Sequence, residues 1–584
     1  MNSLHAIENT GNEKGTLTCN DLLSFLTECQ GRTSATVIDA KKIIDDYEPC
    51  QSIRESGEMS TDGFLLMINS GPGQLFNPDH KKMYQDMTRP FSEYFVSSSH
   101  NTYLTDGQLR GESSTTAYLN ALQRGCKCVE LDCWDGNDGE PIIYHGYTLT
   151  TKIKFKDVIR TINDYAFNIS EYPVVLSIEN HCTVKQQKRM AEIMKIVFGE
   201  KLLICPVFPE GVILPSPEDL KGKIIVKGKS FASPFSKKQQ HKHYSDRIDH
   251  ENRAHIPKSR TSVRKPLDSN YDDDAYDVSE EDEAAEAADG AGEHWHNAMD
   301  NVRIDVLHDH NHGENEEKRR LKKMNSGTEN ALGSKQVSNV AVVNKPHKKL
   351  KLSVQLSKLV VYFKSERFAG FDNPCPKFYA ISSFNEAKGK HLMNKSDYKK
   401  VQAYHNLTVS RVYPAGSRTN SSNYDPCEFW NFGAQMVAIN FQTPGAERDV
   451  YLARFQQNGN CGYVLKPDCI RYPETYSFDP LNVKDYNKGV KLTVTVITGQ
   501  QLPKPKSELK GEVVDPFVRI DIYGIDDDRQ TKETQWIKDN GFNPRWDETL
   551  VFYLKMPQVA MIRFSVWDKD VFSADDFLGQ HSLQ

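Results

Sequence analysis

The chain has 584 residues, of which 38% are hydrophobic and 26% are charged, and its formal net charge is −6. Because a single hydrophobic core rarely extends beyond about 250 to 300 residues, this length predicts three or four domains. No apolar run approaches the roughly 18 residues of a membrane-spanning helix, and the start MNSLHAIENTGNEKG lacks the features of a secretion signal. We therefore expect an intracellular protein. The small net charge favours neither a nucleic-acid partner nor a membrane partner. No other feature of the sequence indicates nucleic-acid binding, so we expect no nucleic-acid partner.

Helices are predicted in the first segment, residues 1–88. The apolar residues between Val37 and Tyr47 have helical spacing that ends at Pro49, and Ser60 can cap a further helix before FLLMI. No D-x-D-x-D-G calcium loop accompanies these helices, so calcium-binding helix pairs are not expected, with degenerate pairs as the alternative.

Short apolar strands alternate with helices in the second segment, residues 89–232. The predicted strands are EYFVSS, CVELDCW, PIIYHG, PVVLSIEN and KIIVKG. This alternation predicts a parallel α/β sheet or barrel. Cys126, Cys128 and Cys133 cluster in one of these strands, where buried reduced thiols are favoured over zinc because no matching second cysteine pair follows.

Residues 233–345 have the composition of a disordered linker. Within them, DDDAYDVSEEDEAAEAADGAGE carries eleven acidic residues and no Lys or Arg, and a basic, histidine-containing stretch follows. Such segments bury too little apolar surface to offset the entropy lost on ordering.

Two further ordered segments are predicted after the linker. In residues 346–470 the α/β alternation resumes through KLVVYFK, FYAISS, VSRVYP, QMVAINFQ and GYVLKP. In residues 485–584 it gives way to strands and turns alone, VKLTVTVITGQQL, DPFVRIDIYG, TQWI, TLVFYL and IRFSVWD, which is typical of a β-sandwich.

Carboxylates follow the predicted strands of the second segment. Glu130 and Asp132 in VELDCW are two residues apart and share one face of a strand, Glu179 ends VVLSIEN, and Asn101 follows the first strand. An all-oxygen set of this kind suits a hard cation such as calcium or magnesium and suits zinc poorly.

Two histidines, His100 and His145, also follow strands. Histidine is the side chain best suited to moving protons near neutral pH. Each of these carboxylates and histidines alone is weak evidence of a catalytic site. Together they are stronger evidence, because all lie at the carboxyl ends of strands, where a (β/α) barrel places its active site.

Cationic residues extend the same pattern. Lys227 and Lys229 in IIVKGKS are two residues apart, and Arg411 in VSRVYP precedes Tyr413 by two residues. If these side chains converge they form a phosphate-binding pocket, in which arginine can hold a phosphate bidentately and tyrosine can lie against a ring.

The motifs SSSHNTYL, VELDCWDG, YHGYTLT, LSIENH, LKGKIIVKGK, RVYPAG, SSNYDP and MVAINFQTP resemble those of phosphoinositide-specific phospholipase C. The resemblance implies a multidomain α/β and all-β chain: N-terminal EF-hand-like helices, a split TIM-type (β/α) barrel with X and Y halves, and a C-terminal C2 β-sandwich. It is closest to the delta type, while the order of domains without a pleckstrin-type module is similar to the zeta type. The chain stops at LGQHSLQ, which we expect to lie short of the last C2 strands, as in a partial or spliced product or a form lacking that module.

The resemblance also implies roles for particular residues. Calcium is expected at Asn101, Glu130, Asp132 and Glu179, the catalytic histidines are His100 and His145, and the substrate-binding residues are Lys227, Lys229, Ser383 in SSFNE, Arg411 and Tyr413. The expected reaction is calcium-dependent hydrolysis of phosphatidylinositol 4,5-bisphosphate to inositol 1,4,5-trisphosphate and diacylglycerol, with Glu130 or Glu179 as the general base.

Membrane partners follow from the same resemblance. A second calcium site is expected at Asp515, Asp539, Asp568 and Asp570 in the C2 turns, bridging to anionic lipid. We expect a cytoplasmic protein at the inner face of the plasma membrane, acting on a phosphoinositide surface, with an upstream signalling activator as a further partner. The acidic linker is expected to cover the cationic site until membrane contact repels it. The alternatives are a catalytically poor, calcium-regulated lipid-binding scaffold and a glycerophosphodiesterase on the same barrel, which would not need the cationic set.

Overall fold

The computed structural model describes residues 15–29, 32–70, 78–208, 213–231, 276–278, 350–373, 376–483, 489–505, 513–570 and 573–584. Of the predicted linker only 276–278 is described, so the expected disorder lies outside the described residues. No helix in the described ranges has both the length and the apolarity needed to cross a membrane.

A small helical lobe comes first. Its elements are β1 (Leu17–Thr18), α1 (Cys19–Ser24), α2 (Val37–Tyr47), α3 (Gln51–Glu55), β2 (Glu58–Met59) and α4 (Thr61–Ile68). The predicted Ser60 cap forms, since its side chain accepts the N–H of Gly63. The buried Glu48 carboxylate accepts the Ser60 N–H at 2.6 Å and thereby ties the end of α2 to the start of α4.

Strands and helices alternate between residues 94 and 227. They are β3 (Tyr94–Val96), β4 (Ser98–Ser99), α5 (Thr115–Gln123), β5 (Cys128–Trp134), β6 (Ile142–Ile143), β7 (Ile153–Lys154), α6 (Phe155–Tyr165), β8 (Val174–Asn180), α7 (Val184–Phe198) and β9 (Ile224–Lys227).

The second half of the α/β region begins with a short antiparallel pair, β10 (Tyr276–Val278) and β11 (Leu350–Leu352). The following elements are α8 (Val354–Ser357), β12 (Lys364–Ser365), β13 (Ala380–Asn385), α9 (Glu386–Lys395), α10 (Tyr398–Leu407), β14 (Val409–Tyr413), α11 (Cys427–Trp430), β15 (Met436–Ile439), α12 (Ala446–Gln456), β16 (Tyr463–Leu465), α13 (Asp468–Arg471) and α14 (Pro473–Tyr476).

Eight parallel strands close into a barrel. Their order around the ring is β4, β5, β8, β9, β12, β13, β14 and β15, and β15 pairs with β4 again. The two halves meet between β9 and β12, where a parallel bridge joins Gly228 to Lys364. The predicted fold class, a split barrel with helical and all-β domains, is confirmed.

The inward-facing residues change character along each strand. At the amino-terminal end they are apolar, as at Cys128, Val175 and Ile225, and these belong to one buried cluster. Two and four residues further along β5 they become Glu130 and Asp132. Because side chains alternate along each strand, the barrel interior contains a packed apolar layer at its amino-terminal end and polar groups at its carboxyl-terminal end.

Three predicted strands of the barrel region are corrected by the structure. PIIYHG is not a parallel strand, because β6 pairs antiparallel with β5 as a hairpin; the seven residues between them are too few for a parallel crossover. GYVLKP forms β16, which pairs antiparallel with β3 rather than joining the ring. Most of KLVVYFK is buried but forms no strand. The positive φ of Phe363, 59°, is incompatible with extended backbone, and pairing begins only at the next residue, Lys364.

The C-terminal region is all-β. Its strands are β17 (Val490–Thr498), β18 (Pro516–Tyr523), β19 (Gln530–Glu533), β20 (Arg545–Leu554), β21 (Met561–Asp568) and β22 (Asp576–Leu583). One sheet has the order β19, β18, β21, β22, and β17 pairs with β20. The predicted strand TQWI is wrong: β19 precedes it, and regular pairing ends at Glu533 because the Val518 N–H donates to the Thr534 hydroxyl at 3.0 Å instead of to a backbone carbonyl.

Candidate active site

An open cavity lies at the carboxyl-terminal end of the barrel strands. Its lining includes His100, Asn101, Gln108, Glu130, Asp132, Trp134, His145, Tyr147, Glu179, His181, Lys227, Ser383, Asn385, Arg411, Tyr413, Arg418 and Asn440. The structure thus brings together all the residues predicted for the barrel site except Lys229, which follows β9 two residues after Lys227 and is not among the lining residues.

Three carboxylates form the acidic part of the cavity. Ligand oxygens of Glu130, Asp132 and Glu179 lie within 4.8 Å of one another. This follows from the pairing of β5 with β8, which sets Asp132 beside Glu179 in register. Burial, with repulsion from Glu179 and Glu130, raises the pKa of the Asp132 carboxyl well above its ordinary value.

The donor set fits a hard cation. Asp132 Oδ2 accepts the Tyr103 hydroxyl at 2.5 Å, but Asp132 Oδ1 is buried and has no hydrogen-bond partner among the described residues. Asn101 adds an amide oxygen, since its Nδ2 already donates to Gln108 at 2.8 Å. Three clustered carboxylates and an amide oxygen are the ligand chemistry of calcium or magnesium.

The carboxylate of Glu179 is set apart by its neighbours. Partial desolvation by the cavity walls raises its pKa, but the 2.8 Å hydrogen bond with His181 and the charges of His181, His145 and Lys227 outweigh this and lower it to about 2. Its side chain is 47% exposed toward the cavity, so this carboxylate is ionised and accessible.

Both predicted histidines have one ring nitrogen fixed. His100 Nδ1 lies 2.9 Å from Asn440 Oδ1, and His145 Nδ1 lies 2.9 Å from the backbone oxygen of Gln108. Since both partners are acceptors, Nδ1 carries the proton in each ring, and Nε2 is the nitrogen that can exchange a proton or hydrogen bond with a substrate. Burial lowers the pKa of His100, which favours its neutral form.

A buried ion pair joins the acidic and cationic sides. Arg411 donates to Glu130 Oε2 at 2.7 Å, and both side chains are at most 6% exposed. Burial lowers the pKa of Arg411, but the Glu130 carboxylate outweighs burial and raises it. Ser383 lies in register with Arg411 across β13 and β14, and its hydroxyl is buried without a partner among the described residues.

Sequence reasoning missed Gln108 and Asn440. Gln108 bonds Asn101, Ser421 and Asn440, and its carbonyl accepts from His145. Gln108 lies in an irregular loop whose spacing carries no periodic signal, so nothing in the sequence pattern marked it. Asn440 immediately follows β15, and its place after a barrel strand was a usable signal.

The four C2 aspartates lie in another region. The Asp515 N–H donates to Asp568 at 2.6 Å, and the Asp539 N–H donates to Asp515 at 2.6 Å, whereas the Asp570 N–H donates to Asp575. In the part of the chain that the structure describes, the group of acidic, His or Cys ligands within 4.8 Å of one another is the barrel set alone. The structure therefore links three of these residues without gathering all four carboxylates.

A closed parallel barrel with clustered carboxylates, two oriented histidines and buried cations defines a barrel-type phosphodiesterase. Models of four known domain families match this chain and agree with that class. They are the phosphatidylinositol-specific phospholipase C X domain at residues 87–230 and Y domain at 356–469, the C2 domain at 490–584, and the efhand-like domain of phosphoinositide-specific phospholipase C at 4–78.

Individual relatives cover nearly all of the chain. It is 41% identical to 1-phosphatidylinositol 4,5-bisphosphate phosphodiesterase delta-1 of Rattus norvegicus over 99% of the chain and 67% of that protein. It is 38% identical to the zeta-1 protein of Macaca fascicularis over 97% of the chain and 81% of that protein. The crystal structure of S. officinalis PLC21 matches 99% of the chain and 63% of that structure, with a TM-score of 0.69 and 27% identity. The chain belongs to the phosphoinositide-specific phospholipase C family, and it spans about two thirds of the length of its delta-type relatives.

Proposed function

We propose that this chain hydrolyses phosphatidylinositol 4,5-bisphosphate to inositol 1,4,5-trisphosphate and diacylglycerol in a calcium-dependent reaction. The observation that carries the proposal is the convergence of the acidic cluster, both Nδ1-anchored histidines and the buried cations on one cavity. The names of the delta-1 and zeta-1 relatives support the substrate.

Asn101, Glu130, Asp132 and Glu179 would hold the calcium ion. When bound, calcium lowers the pKa of the inositol 2-hydroxyl and offsets negative charge on the reacting phosphate. Glu130 or Glu179 would take the proton of the 2-hydroxyl. Glu179 is the more accessible of the two, since its side chain is 47% exposed, whereas that of Glu130 is 6% exposed and its Oε2 already accepts from Asn101 N and Arg411.

The two histidines have different roles at the phosphodiester. His145, protonated on both ring nitrogens, gives its Nε2 proton to the departing diacylglycerol oxygen, and His100, whose protonation the bound phosphate charge favours, donates Nε2–H to a phosphate oxygen. Attack by the 2-hydroxyl leaves a cyclic phosphodiester; a water that gives a proton to His145 Nε2 then opens this ring, and the 2-oxygen takes back its proton. The Gln108 carbonyl and the Asn440 amide oxygen hold the two rings by Nδ1–H, which leaves Nε2 of each ring for the substrate.

The head-group phosphates would meet the cationic side of the cavity. Lys227, Ser383 and Arg411 line it, and Tyr413 lies beside Arg411 where it can contact the inositol ring. A role for Lys229 stays a prediction.

Exposed apolar residues beside the cavity suit a membrane surface. Tyr147 is 84% exposed and Leu149 is 65% exposed, and the Leu149 N–H donates to the carbonyl of Leu109, which is also exposed. We infer that these side chains enter the lipid while the head group fills the cavity. In the C2 domain, calcium at the predicted aspartates would add anionic-lipid binding beside exposed Phe542. The site of action would be the inner face of the plasma membrane, under an upstream signalling activator.

Substrate class can be tested by measuring water-soluble product from vesicles containing phosphatidylinositol 4,5-bisphosphate, phosphatidylinositol 4-phosphate or phosphatidylinositol, and from soluble glycerophosphoinositol. The full chain is expected to prefer the bisphosphate. Lys227→Met should lower that preference about tenfold or more, because a buried cation is removed from the phosphate site, whereas Lys358→Met at an exposed site should change nothing. Equal rates on glycerophosphoinositol would instead support the glycerophosphodiesterase alternative, and binding to vesicles without product would support the scaffold.

A further inference from the structure

Two aromatic residues outside the predicted site, Trp134 and His181, lie between its acidic and proton-transfer groups. The parallel pairing of β5 with β8 sets Asp132 beside Glu179 and Cys133 beside Asn180. It continues one step further, because the His181 N–H donates to the Cys133 carbonyl at 2.8 Å. Trp134 and His181 are therefore the next pair across the two strands, and their rings stack at 4.0 Å with an interplanar angle of 12°.

On one side this stack reaches the carboxylate of Glu179. Residues two apart on a strand project to the same face, so His181 lies above Glu179 and its Nε2 is 2.8 Å from Glu179 Oε1. The imidazole is held by the indole and in turn holds one oxygen of the carboxylate.

On the other side the indole reaches the loop that carries His145. A Cβ atom placed on Gly146 would lie 2.0 Å from Trp134 Cζ2, so the backbone directly after His145 packs on the indole in a way only glycine allows. The ring of Tyr147 meets the same indole edge-on at 5.3 Å. Trp134 is thus in contact with the His145 loop and with His181 at once.

We infer that Trp134 and His181 form a positioning bridge, which sets the Glu179 carboxylate relative to the His145 loop before any ligand binds. This inference deepens the proposed function and rests on it, because Glu179 is assigned there to the metal and the base. Neither bridge residue touches the reacting atoms; each acts through its neighbour. Groups that orient a metal ligand typically change metal affinity by about 10- to 100-fold.

The hydrogen bond and the ring stack can be separated by substitution. His181→Phe keeps a ring for the stack and loses the hydrogen bond, while His181→Gln keeps a donor and loses the ring. Trp134→Leu removes the stack and the support of the His145 loop. His391→Phe, on the exposed face of α9, is the matched control.

Calcium binding to the full chain is measured by titration calorimetry, with Glu179→Gln identifying which binding step belongs to the barrel. We expect His181→Phe to weaken that step about tenfold, while His181→Gln and His391→Phe change its calcium affinity by less than about threefold. Trp134→Leu is expected to weaken calcium binding and also to lower kcat at saturating calcium about tenfold.

An unchanged barrel step in His181→Phe would overturn the inference, as would equal losses in His181→Phe and His181→Gln. If Trp134→Leu does not fold, the comparison of the two His181 variants still decides. If Glu179→Gln leaves every calcium-binding step intact, the metal assignment of the proposed function fails instead, and the two failures are thereby distinguished.

Discussion

Several polar atoms around the cavity are buried without hydrogen-bond partners in the described part of the chain. Asp132 Oδ1, Ser383 Oγ and Arg411 Nε all belong to this group. Unsatisfied buried polar atoms are uncommon in folded proteins and usually have a functional explanation. In the proposed substrate complex, Asp132 Oδ1 would bind the metal ion, and Ser383 Oγ and Arg411 Nε would donate hydrogen bonds to phosphate oxygens. The atoms that lack partners are therefore those that the substrate complex would supply with partners.

Asp132→Asn separates metal binding from folding. The substitution removes one of three clustered negative charges while keeping an oxygen for the Tyr103 hydroxyl, so in chelator the melting temperature of the chain should stay the same or rise. Added calcium should then stabilise this variant less than the unsubstituted chain, because one ligand charge is lost. Differential scanning calorimetry with and without calcium measures both effects. A lower melting temperature in chelator would show that Asp132 stabilises the barrel without metal.

Helix α10 packs a histidine into the barrel wall for a structural purpose. His405 is fully buried, with Nδ1 2.8 Å from the Phe432 carbonyl and Nε2 3.0 Å from the Ser410 hydroxyl. Burial and the nearby Lys466 lower the pKa of His405 to about 3. The folded protein therefore keeps this ring neutral at a pH where the unfolded chain protonates it.

The pKa of His405 predicts an acid-dependent loss of stability. Because the unfolded pKa is about 6.5 and the folded pKa is lower, stability is complete above pH 6.5 and falls as the pH drops toward 3. From pH 7 to pH 5 this single group should cost about 2 kcal/mol. His405→Gln, which cannot protonate, should show a correspondingly smaller fall in the free energy of barrel unfolding, measured by urea denaturation at both pH values. An identical fall in both proteins would contradict the assignment.

The elements that the sequence predicted well are those with one clear period. Strands β5, β8 and β14 alternate, and their ends carried Glu130, Asp132, Glu179 and Arg411 to the cavity. The missed features depend on geometry that periodicity does not encode. Periodicity does not encode the direction of pairing of PIIYHG and GYVLKP. The positive φ of Phe363 interrupts KLVVYFK, and the Thr534 hydroxyl accepts the Val518 N–H that would continue the ladder into TQWI. Gln108 acts from a loop, where only the tertiary fold brings it to the site.

The C2 domain is packed firmly against the barrel. Val559 and Met561 belong to the barrel's own hydrophobic cluster, and β22 lies against α12. Arg563 of β21 bonds Asp449 of α12 at 3.1 Å and lies 3.5 Å from Asp521 of β18. The C2 domain and the barrel therefore share one continuous buried contact through α12, β21 and β22.

Arg563→Met should destabilise this interface by about 3 kcal/mol, because it leaves the Asp449 carboxylate, only 11% exposed, without its partner. Calorimetry should show a lower unfolding temperature for the C2 domain, and the double variant with Asp449→Leu should recover most of the loss. Lys41→Met breaks an exposed pair with Asp45 and serves as the control, with an expected cost below about 1 kcal/mol. Equal effects of the two single variants would argue against a special role for the buried pair.

The acidic linker connects the two barrel halves. Only Tyr276–Val278 of its acidic block is described, and this strand pairs with Leu350–Leu352 at the start of the second half. Deleting residues 268–293 is predicted to raise basal hydrolysis, because the negative block no longer competes for the cationic cavity. Product release at low calcium, from vesicles with and without anionic lipid, measures this. No rise would leave the linker a spacer.

We propose above that one cavity combines a calcium site with acid catalysis by His145. The most direct measurement is inositol phosphate release from phosphatidylinositol 4,5-bisphosphate vesicles across a calcium titration, for the full chain and for His145→Ala. We expect release that requires calcium and that falls about 100-fold or more in the folded variant, the usual size of a general-acid effect. Calcium-independent release, no release from the folded chain at any calcium concentration, or equal turnover by His145→Ala would rule out calcium-dependent acid catalysis by His145 in this cavity.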